Sequence, residues 1–415
     1  MDAWLARARE AMPWLRQSVA CWPFRLRPSL VTDERPDLDK HLRFVNVDPG
    51  ADLRDLLDLT AQLTSPPLPD DRPPWEVIVI GGLPDGRAAI VQRAHHSLLD
   101  GWEGIKLLRT LLQDGHPASP HSNGKGAERG MQQPAAGRLP QLVRRTLDLV
   151  PNVRSPSAAG DLARQAWETA GLIVSQALAA GPLSPLMQHR STNRRFEIHS
   201  VCRQAAQQAA RVLGGNLNVF FIAGLAGGLG AYHRKLSAPC PALRIGTPVG
   251  LPRGGASGNH FSPLRLIAPT DPHPVRRFEA VRDVLHRSTT QPGLAFTQPL
   301  AEIINLLPDA ILLPAVRAQA RSTDCIASFL PGPRGDHRWA DANVTANYPF
   351  GPLFGTPVNA TAITFGAHLH IGIHLDPEAV TEPAALMDCL RDSFDQLVEQ
   401  GTARHSSMLP VADSA

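Results

Sequence analysis

Apolar positions along the chain follow two periods, and the switches between them outline its elements. Residues 75–80, Trp-Glu-Val-Ile-Val-Ile, form a dense apolar run of strand-forming residues. Leu83-Pro84-Asp85-Gly86 interrupts it with a tight-turn signal. Ala88 to His96 reads as the returning strand. Ala88, Ile90, Gln92, Ala94 and His96 share one face, and Ala89, Val91, Arg93 and His95 share the other. After Gly101 the period becomes helical, through Ile105, Leu107, Leu108, Leu111 and Leu112. Further along, a second lobe begins near 194–198, helices are predicted at 202–213 and 219–236, and a closing helix at 384–399. A hairpin is predicted over 362–376, turning at Gly366-Ala367. Helical spacing also appears at 4–15, 142–150 and 161–179, whereas Pro, Ser, Gly and charges make 114–139 a loop. The pattern divides the chain into a first lobe at 1–113, a loop with bridging helices at 114–190, and a second lobe at 191–415.

Two local patterns invite chemical readings and receive structural ones. Gly224, Gly227, Gly228 and Gly230 fit neither phosphate-loop spacing and predict close helix–strand packing. His368, His370 and His374 share one strand face with Gly372, against Leu369, Ile371, Ile373 and Leu375. Alternate strand positions lie about 7 Å apart, too far for one tetrahedral zinc, so a solvated or partly buried face is expected and no metal site.

Composition narrows the classes. With 415 residues and 43% hydrophobic content the chain can build two cores or one large one. A net charge of +3, scattered basic residues and 5% aromatics give no basis for nucleic-acid binding. Cys21, Cys202, Cys240, Cys325 and Cys389 are widely spaced and odd in number, which predicts neither a disulfide framework nor a zinc site and fits a reducing cytoplasm. No signal-peptide core opens the sequence, and no apolar run reaches the roughly 18 residues of a spanning helix. The stretch at 142–150 has a basic edge at Arg144 and Arg145. Such a stretch ordinarily packs on its own protein; the alternative is peripheral contact with a membrane or lipid droplet.

The heptapeptide His95-His96-Ser97-Leu98-Leu99-Asp100-Gly101 carries the candidate chemistry. A neutral imidazole at a strand end can serve as a general base. The two rings point to opposite faces, so one faces a reaction site and the other is expected to be buried and hydrogen-bonded. Asp100-Gly101-Trp102-Glu103 has capping-box spacing, which makes Asp100 a helix cap before it is a chemical group. No Gly-x-Ser-x-Gly elbow is present.

Pro73-Pro74-Trp75-Glu76, the hairpin and His95-His96-x-x-x-Asp100-Gly101 resemble the bacterial wax ester synthase/diacylglycerol acyltransferase family. Similar blocks follow in order: Pro248-Val249-Gly250-Leu251-Pro252-Arg253 with Gly258-Asn259, then Ser328-Phe329-Leu330-Pro331-Gly332-Pro333, then Asn359-Ala360-Thr361. The resemblance implies an α/β (α+β) class and a two-lobed chloramphenicol acetyltransferase-like fold. Each lobe is a mixed sheet with helices, and an active-site tunnel lies between them. It implies an enzyme moving an acyl group from acyl-CoA, as co-substrate and with no other cofactor, to a long-chain alcohol or diacylglycerol.

His96 is then the expected general base, His95 and Asp100 hold the loop, and the Gly101 backbone N–H faces the oxyanion. Trp75, Asn218, Arg253 and Asn259 are the implied substrate-binding residues. The sequence departs from the family at Asn218-Val219, where the family has Asn-Asp, and at Phe329, where it has Asn. The family also has an earlier strand and helix with a Pro-Leu-Ser-x-x-Asp-like segment, and this sequence starts near the helix after it. A more open acceptor side and association through the first lobe, with a partner or a second copy, are therefore expected. Two alternatives stay open: transfer to a specialised hydroxyl or amine in secondary metabolism or a condensation-type reaction, and a non-catalytic binding relative. The expected location is cytoplasmic, with peripheral membrane contact at most.

Overall fold

The computed structural model describes residues 12–20, 29–33, 37–96, 101–114, 181–250, 261–289, 317–339 and 342–408. Its strands are β1 (Gln17–Ala20), β2 (Ser29–Thr32), β3 (Leu42–Asn46), β4 (Trp75–Gly81), β5 (Ala89–Ala94), β6 (Gln113–Asp114), β7 (Arg195–Cys202), β8 (Ala242–Gly250) and β9 (Phe261–Pro269). They continue with β10 (Cys325–Leu330), β11 (His337–Trp339), β12 (Ala342–Val344), β13 (Val358–Phe365) and β14 (His368–Leu375). The helices are α1 (Leu53–Thr64), α2 (Gly101–Leu111), α3 (Arg203–Val212), α4 (Leu217–Lys235), α5 (Pro274–Thr289) and α6 (Pro383–Met408).

The first lobe is built on the sheet β3-β4-β5, with β3 parallel and β5 antiparallel to β4. The predicted turn is present. Asp85 and Gly86 both take left-handed φ, 60° and 65°, a pair that L-residues accept readily only as Asp/Asn and Gly. One face of β4 packs Ile78 and Ile80 with Val47 and Ala51, and Leu56, Leu59 and Leu63 of α1 close over them. The opposite face packs Trp75 and Val77 with Met12, Leu15, Leu107 and Leu111. α1 starts with a full capping box, in which Asp52 accepts from Asp55 N and Asp55 accepts from Asp52 N.

The second lobe is one mixed sheet in the order β7-β14-β13-β10-β8-β9. β10 runs parallel to β8 and β13, and the other pairs are antiparallel. Its largest core lies between one sheet face and helices α4, α5 and α6. Cys325 and Ala327 of β10, Ala360 and Ala362 of β13, and Leu369, Ile371 and Ile373 of β14 all point there. The other face carries Ile326 and Ser328, Asn359 and Thr361, and His374, and it faces the first lobe.

Three joints hold the lobes together. Leu57 and Ala61 of α1 pack on Phe196 of β7, and beside them Arg54 Nη1 donates to Glu197 Oε1 at 2.8 Å. Leu108 and Leu112, at the end of α2, pack on Ile363 and Phe365 of β13. The third is a three-stranded sheet, β12-β11-β6, which pairs Asp114 with His337.

Several expectations change. The helix expected at 4–15 ends differently: Pro13–Arg16 is a short 3-10 turn that leads into β1, and 1–11 lie outside the described residues. The helices expected at 142–150 and 161–179 and the loop at 115–139 also lie outside them. The α4 glycines pack against helices, and only Gly230 meets the loop after β9, at Thr270. A side chain at Gly224 would strike Phe394, one at Gly227 would strike Ser393 and Arg277, and one at Gly228 would strike Leu390. β14, expected to be half-solvated, is buried from Leu369 to Leu375. It is an interior strand between β13 and β7, and the segment 348–352 lies across its histidine face.

A Cβ on Gly228 would sit 2.6 Å from the Leu390 Cα, a backbone atom that cannot move aside cheaply. Gly228→Ala should therefore cost about 1–3 kcal/mol, the usual penalty for overpacking a filled core. Urea unfolding against the parent chain measures it; equal midpoints would contradict the packing.

Candidate functional site

The cleft between the lobes has a volume of about 2530 Å³. Ligand pockets for small molecules run to roughly 300–1,000 Å³, so this one has room for two sizeable reactants. His95 and His96 follow β5 directly and both line it, as does Gly101 at the first position of α2. His95 is the more exposed ring and His96 is half-buried, so the expectation that one is fully buried does not hold. The His95 backbone N–H donates to the Pro74 carbonyl at 2.9 Å, in register with the β4–β5 ladder, and Pro74 has no N–H to return, so the ladder stops there. Gly101 faces Leu330 of β10 closely, and a Cβ there would lie 2.8 Å from a Leu330 methyl. The start of α2 is thus set against the second lobe.

The second lobe answers with the segment 345–356. Asn359 Nδ2 donates to the Pro352 carbonyl at 2.7 Å, and Thr361 Oγ1 donates to Asn359 Oδ1 at 3.1 Å. His374 Nδ1–H donates to the Gly351 carbonyl at 2.9 Å. Gly372 lets Pro349 lie flat on β14. Ser200 Oγ links the Tyr348 hydroxyl (2.9 Å) to His370 Nδ1 (2.8 Å). The pinned segment delivers Phe354 to the cleft. Its ring is 60% exposed and meets His96 edge-on, with centroids 5.6 Å apart. Phe354 has φ +51°, a left-handed conformation that costs an L-residue about 1–2 kcal/mol. Strain of this kind collects at functional sites.

Of the implied substrate-binding residues, two stand elsewhere. Trp75 is 4% exposed, donates its Nε1–H to the Leu15 carbonyl at 2.9 Å and stacks on His41 at 4.0 Å. It is a core residue, because its indole finds both an apolar bed and a hydrogen-bond acceptor inside the first lobe. Asn218 sits near the start of α4, in a shallow depression with Asn216, Arg282 and His286, away from the cleft. The Asn216 side chain caps α4 by accepting from Val219 N. Asp100, Arg253 and Asn259 lie outside the described residues.

Sequence reasoning missed Phe354, and it named His374, Asn359 and Thr361 without their role in anchoring the segment 345–356. The Pro- and Gly-rich run 349–355 was the available signal. Among the described residues no group of three metal-ligating side chains is present.

Burial pushes the His374 imidazole down to about 4, and it pushes His370 to about 4 as well. Both depressed values mean that the unfolded chain binds protons the fold refuses between pH 6.5 and 4. The stability due to each is full above about 6.5 and is lost as pH falls towards 4, by at most about 1.4 kcal/mol per unit for each ring. Thermal melts from pH 7.5 to 4.5 should show this decline, and His370→Gln with His374→Gln should flatten it. An unchanged slope in the double variant would show that other groups carry it.

Two family profiles match the chain. The wax ester synthase/diacylglycerol acyltransferase catalytic domain matches residues 2–221, and the C-terminal domain of the same family matches 257–398. A Mycobacterium tuberculosis protein that carries a diacylglycerol O-acyltransferase name is 27% identical over 402 residues, covering 93% of this chain and 81% of the relative. The O-acyltransferase WSD of Acinetobacter baylyi is 24% identical over 400 residues, covering 91% and 84%. Among solved structures, the wax ester synthase/diacylglycerol acyltransferase of Marinobacter aquaeolei shares the fold, with a TM-score of 0.62 at 19% identity and 97% and 91% coverage. The starter condensation domain of rhizomide synthetase, in complex with C8-CoA and Leu-SNAC, has a TM-score of 0.56 at 15% identity, with 97% and 85% coverage.

Proposed function

Because this chain belongs to the wax ester synthase/diacylglycerol acyltransferase family and is an acyl-CoA-dependent O-acyltransferase, we propose that His96 is its general base and that the inter-lobe cleft is its reaction chamber. The observation behind this is the meeting of His96, at the end of a first-lobe strand, with Phe354, on a second-lobe segment. That contact brings one imidazole of the first lobe against a ring of the second, at the seam of the cleft.

The chemistry needs little more than position. A thioester already carries a good leaving group, so the enzyme has to align two substrates and move one proton. His96 takes the proton of the acceptor hydroxyl as its oxygen attacks the thioester carbonyl. The new C–O bond forms, and negative charge collects on the carbonyl oxygen. The backbone N–H of Gly101, at the positive end of α2, is the group that faces this oxyanion. Collapse breaks the C–S bond, and the proton held by His96 passes to the departing thiolate. His95 and Asp100 hold the loop between β5 and α2.

The acceptor class proposed is a long-chain alcohol or diacylglycerol, as in the names of the relatives. The second reading, a specialised hydroxyl or amine, draws on the Asn218-Val219 pair, where the family has Asn-Asp, although the start of α4 lies away from the cleft. His96→Ala should lower turnover by about 100-fold or more without loss of fold, the range for a removed general base. Thiol release from acyl-CoA, with hexadecanol, diacylglycerol, short amines and polyols as acceptors, measures this and ranks the two acceptor classes. Near-normal turnover in His96→Ala would end the assignment.

The lipid acceptor is proposed to be met at a membrane surface without spanning. No single helix among the described residues is long and apolar enough to cross; α3 and α4 pass only as a pair bent by 93°, and α4 is buried in the core. Phe44 (68% exposed) continues on β3 an apolar row with Val79 and Ile90, which line the cleft from β4 and β5, with exposed Arg87 near its end. Cosedimentation with anionic vesicles should occur and should weaken with added salt and with Phe44→Asp. Retention that only detergent reverses would contradict the reading.

A further inference from the structure

Arg265 lines the cleft from β9. Of its other cations, Arg93 is held by Glu76 at 2.8 Å and Arg194 donates to the Thr64 carbonyl at 2.8 Å. Arg265 has no carboxylate among the described residues. Its Nη1 donates to a neutral oxygen, Ser322 Oγ, at 2.6 Å. Its Nη2 is shielded from water and has no hydrogen-bond partner among the described residues. A guanidinium is always charged, and a buried donor left unmet costs the fold free energy. Burial lowers the affinity of Arg265 for its proton, and Arg244 beside it lowers it further. The Arg265 guanidinium is therefore a positive group with one donor unmet, while the buried Asp324 carboxylate nearby accepts from Arg244 N at 2.7 Å.

The sheet register places this corner relative to the reacting atoms. Leu330 of β10 lies against Gly101, at the reaction end of the cleft. Ile326, four positions back on β10, is about 13 Å away along the strand. Ile326 pairs with Gly246, and Gly246 pairs with Arg265, so Arg265 shares their cleft-side face. Two strand spacings add about 10 Å sideways, which makes the diagonal about 16 Å. The pantetheine arm of coenzyme A, from sulfur to first phosphate, reaches as far as about four residues of extended chain, ~14 Å. The guanidinium spans the remainder.

From this placement we propose that Arg265 is the phosphate anchor of the cleft, pairing through its Nη1–Nη2 edge with a phosphate at the nucleotide end of acyl-CoA while the thioester lies at Gly101. The assignment rests on the acyl-CoA reading above and adds the polarity of binding: nucleotide end at β8–β9, acyl carbonyl at α2. A planar, two-nitrogen edge is the group that best matches a phosphate, and a small swing about the side chain brings it to the cleft. Arg244 raises the local positive potential without taking the contact, since its own Nη1 is used by the carbonyls of Gly181 and Ser322.

The test compares two donors that differ only in the phosphates. The purified chain, Arg265→Gln and Arg265→Lys are assayed with an acyl-CoA and with the matching acyl-pantetheine. Isothermal calorimetry with CoA and with pantetheine gives binding independent of turnover. Arg265→Gln should raise the KM for acyl-CoA, and the Kd of CoA, by about 10- to 100-fold, the usual worth of a charge-assisted pair. It should leave kcat and the acyl-pantetheine KM as they are. Arg265→Lys should fall between the two and keeps a charge on the wall should the glutamine variant fold poorly. In the parent chain the preference for acyl-CoA should shrink as salt is raised. Equal losses on both donors would mark Arg265 as a packing residue, and no loss on either would place the phosphates elsewhere; both overturn the proposal. Failure of the acyltransferase reading looks different: the parent chain would bind CoA and release no thiol with any acceptor.

Discussion

The bare backbone on one side of α4 is the constraint on which the rest of this molecule depends. Gly224, Gly227 and Gly228 let α6 lie almost against the α4 helix axis, with Phe394, Ser393 and Leu390 filling the space a side chain would take. The closely paired helices then cover one face of the six-stranded sheet, together with α5. Cys325 and Ala327 of β10, Ala360 and Ala362 of β13, and Leu369, Ile371 and Ile373 of β14 are satisfied on that side. The opposite face is left free to carry Ser328, Asn359, Thr361 and His374, residues that a second helical layer would have to exclude. A reaction floor of this kind exists because the core is complete without it. The buried Arg277 belongs to the same arrangement: its guanidinium donates to the Ala223 and Asp271 carbonyls and to Ser393 Oγ, tying α4, α5 and α6 at one point.

On that floor, neutral hydrogen bonds do the positioning. His374, Asn359 and Ser200 hold the segment 345–356 through carbonyls and hydroxyls. A buried neutral imidazole suits this work, because it donates from one nitrogen without adding a charge that the cleft would have to solvate. The outcome is an aromatic ring held against His96 in a backbone conformation that an L-residue avoids.

Much of this was legible in the chain. The β4–β5 hairpin could be read because its turn chemistry is local, with Asp85 and Gly86 both left-handed. The β13–β14 hairpin could be read for the same reason, through Gly366 at φ +54°. The histidine pair was visible because seven consecutive residues carry it. Features that arise from distant pairing were hidden. The alternation in β14 suggests a wet face, yet Pro349 and Gly351 cover it, and they come from a segment with no periodicity. The family resemblance implies a substrate-binding role for Trp75, but the Leu15 carbonyl and the His41 ring claim it. Glycines on α4 announced close packing without naming the partner, since α6 lies some 160 positions away.

The small sheet that joins Asp114 to His337 also bears on traffic. It sews the end of the first lobe to a ribbon of the second, and the packing of α2 on β13 and of α1 on β7 adds two further seams. Seams on several sides leave little freedom for the halves to part like a jaw. Whatever occupies the cleft therefore comes and goes along the gap between joined halves, and the shape of that gap, not the parting of the lobes, sets what can pass.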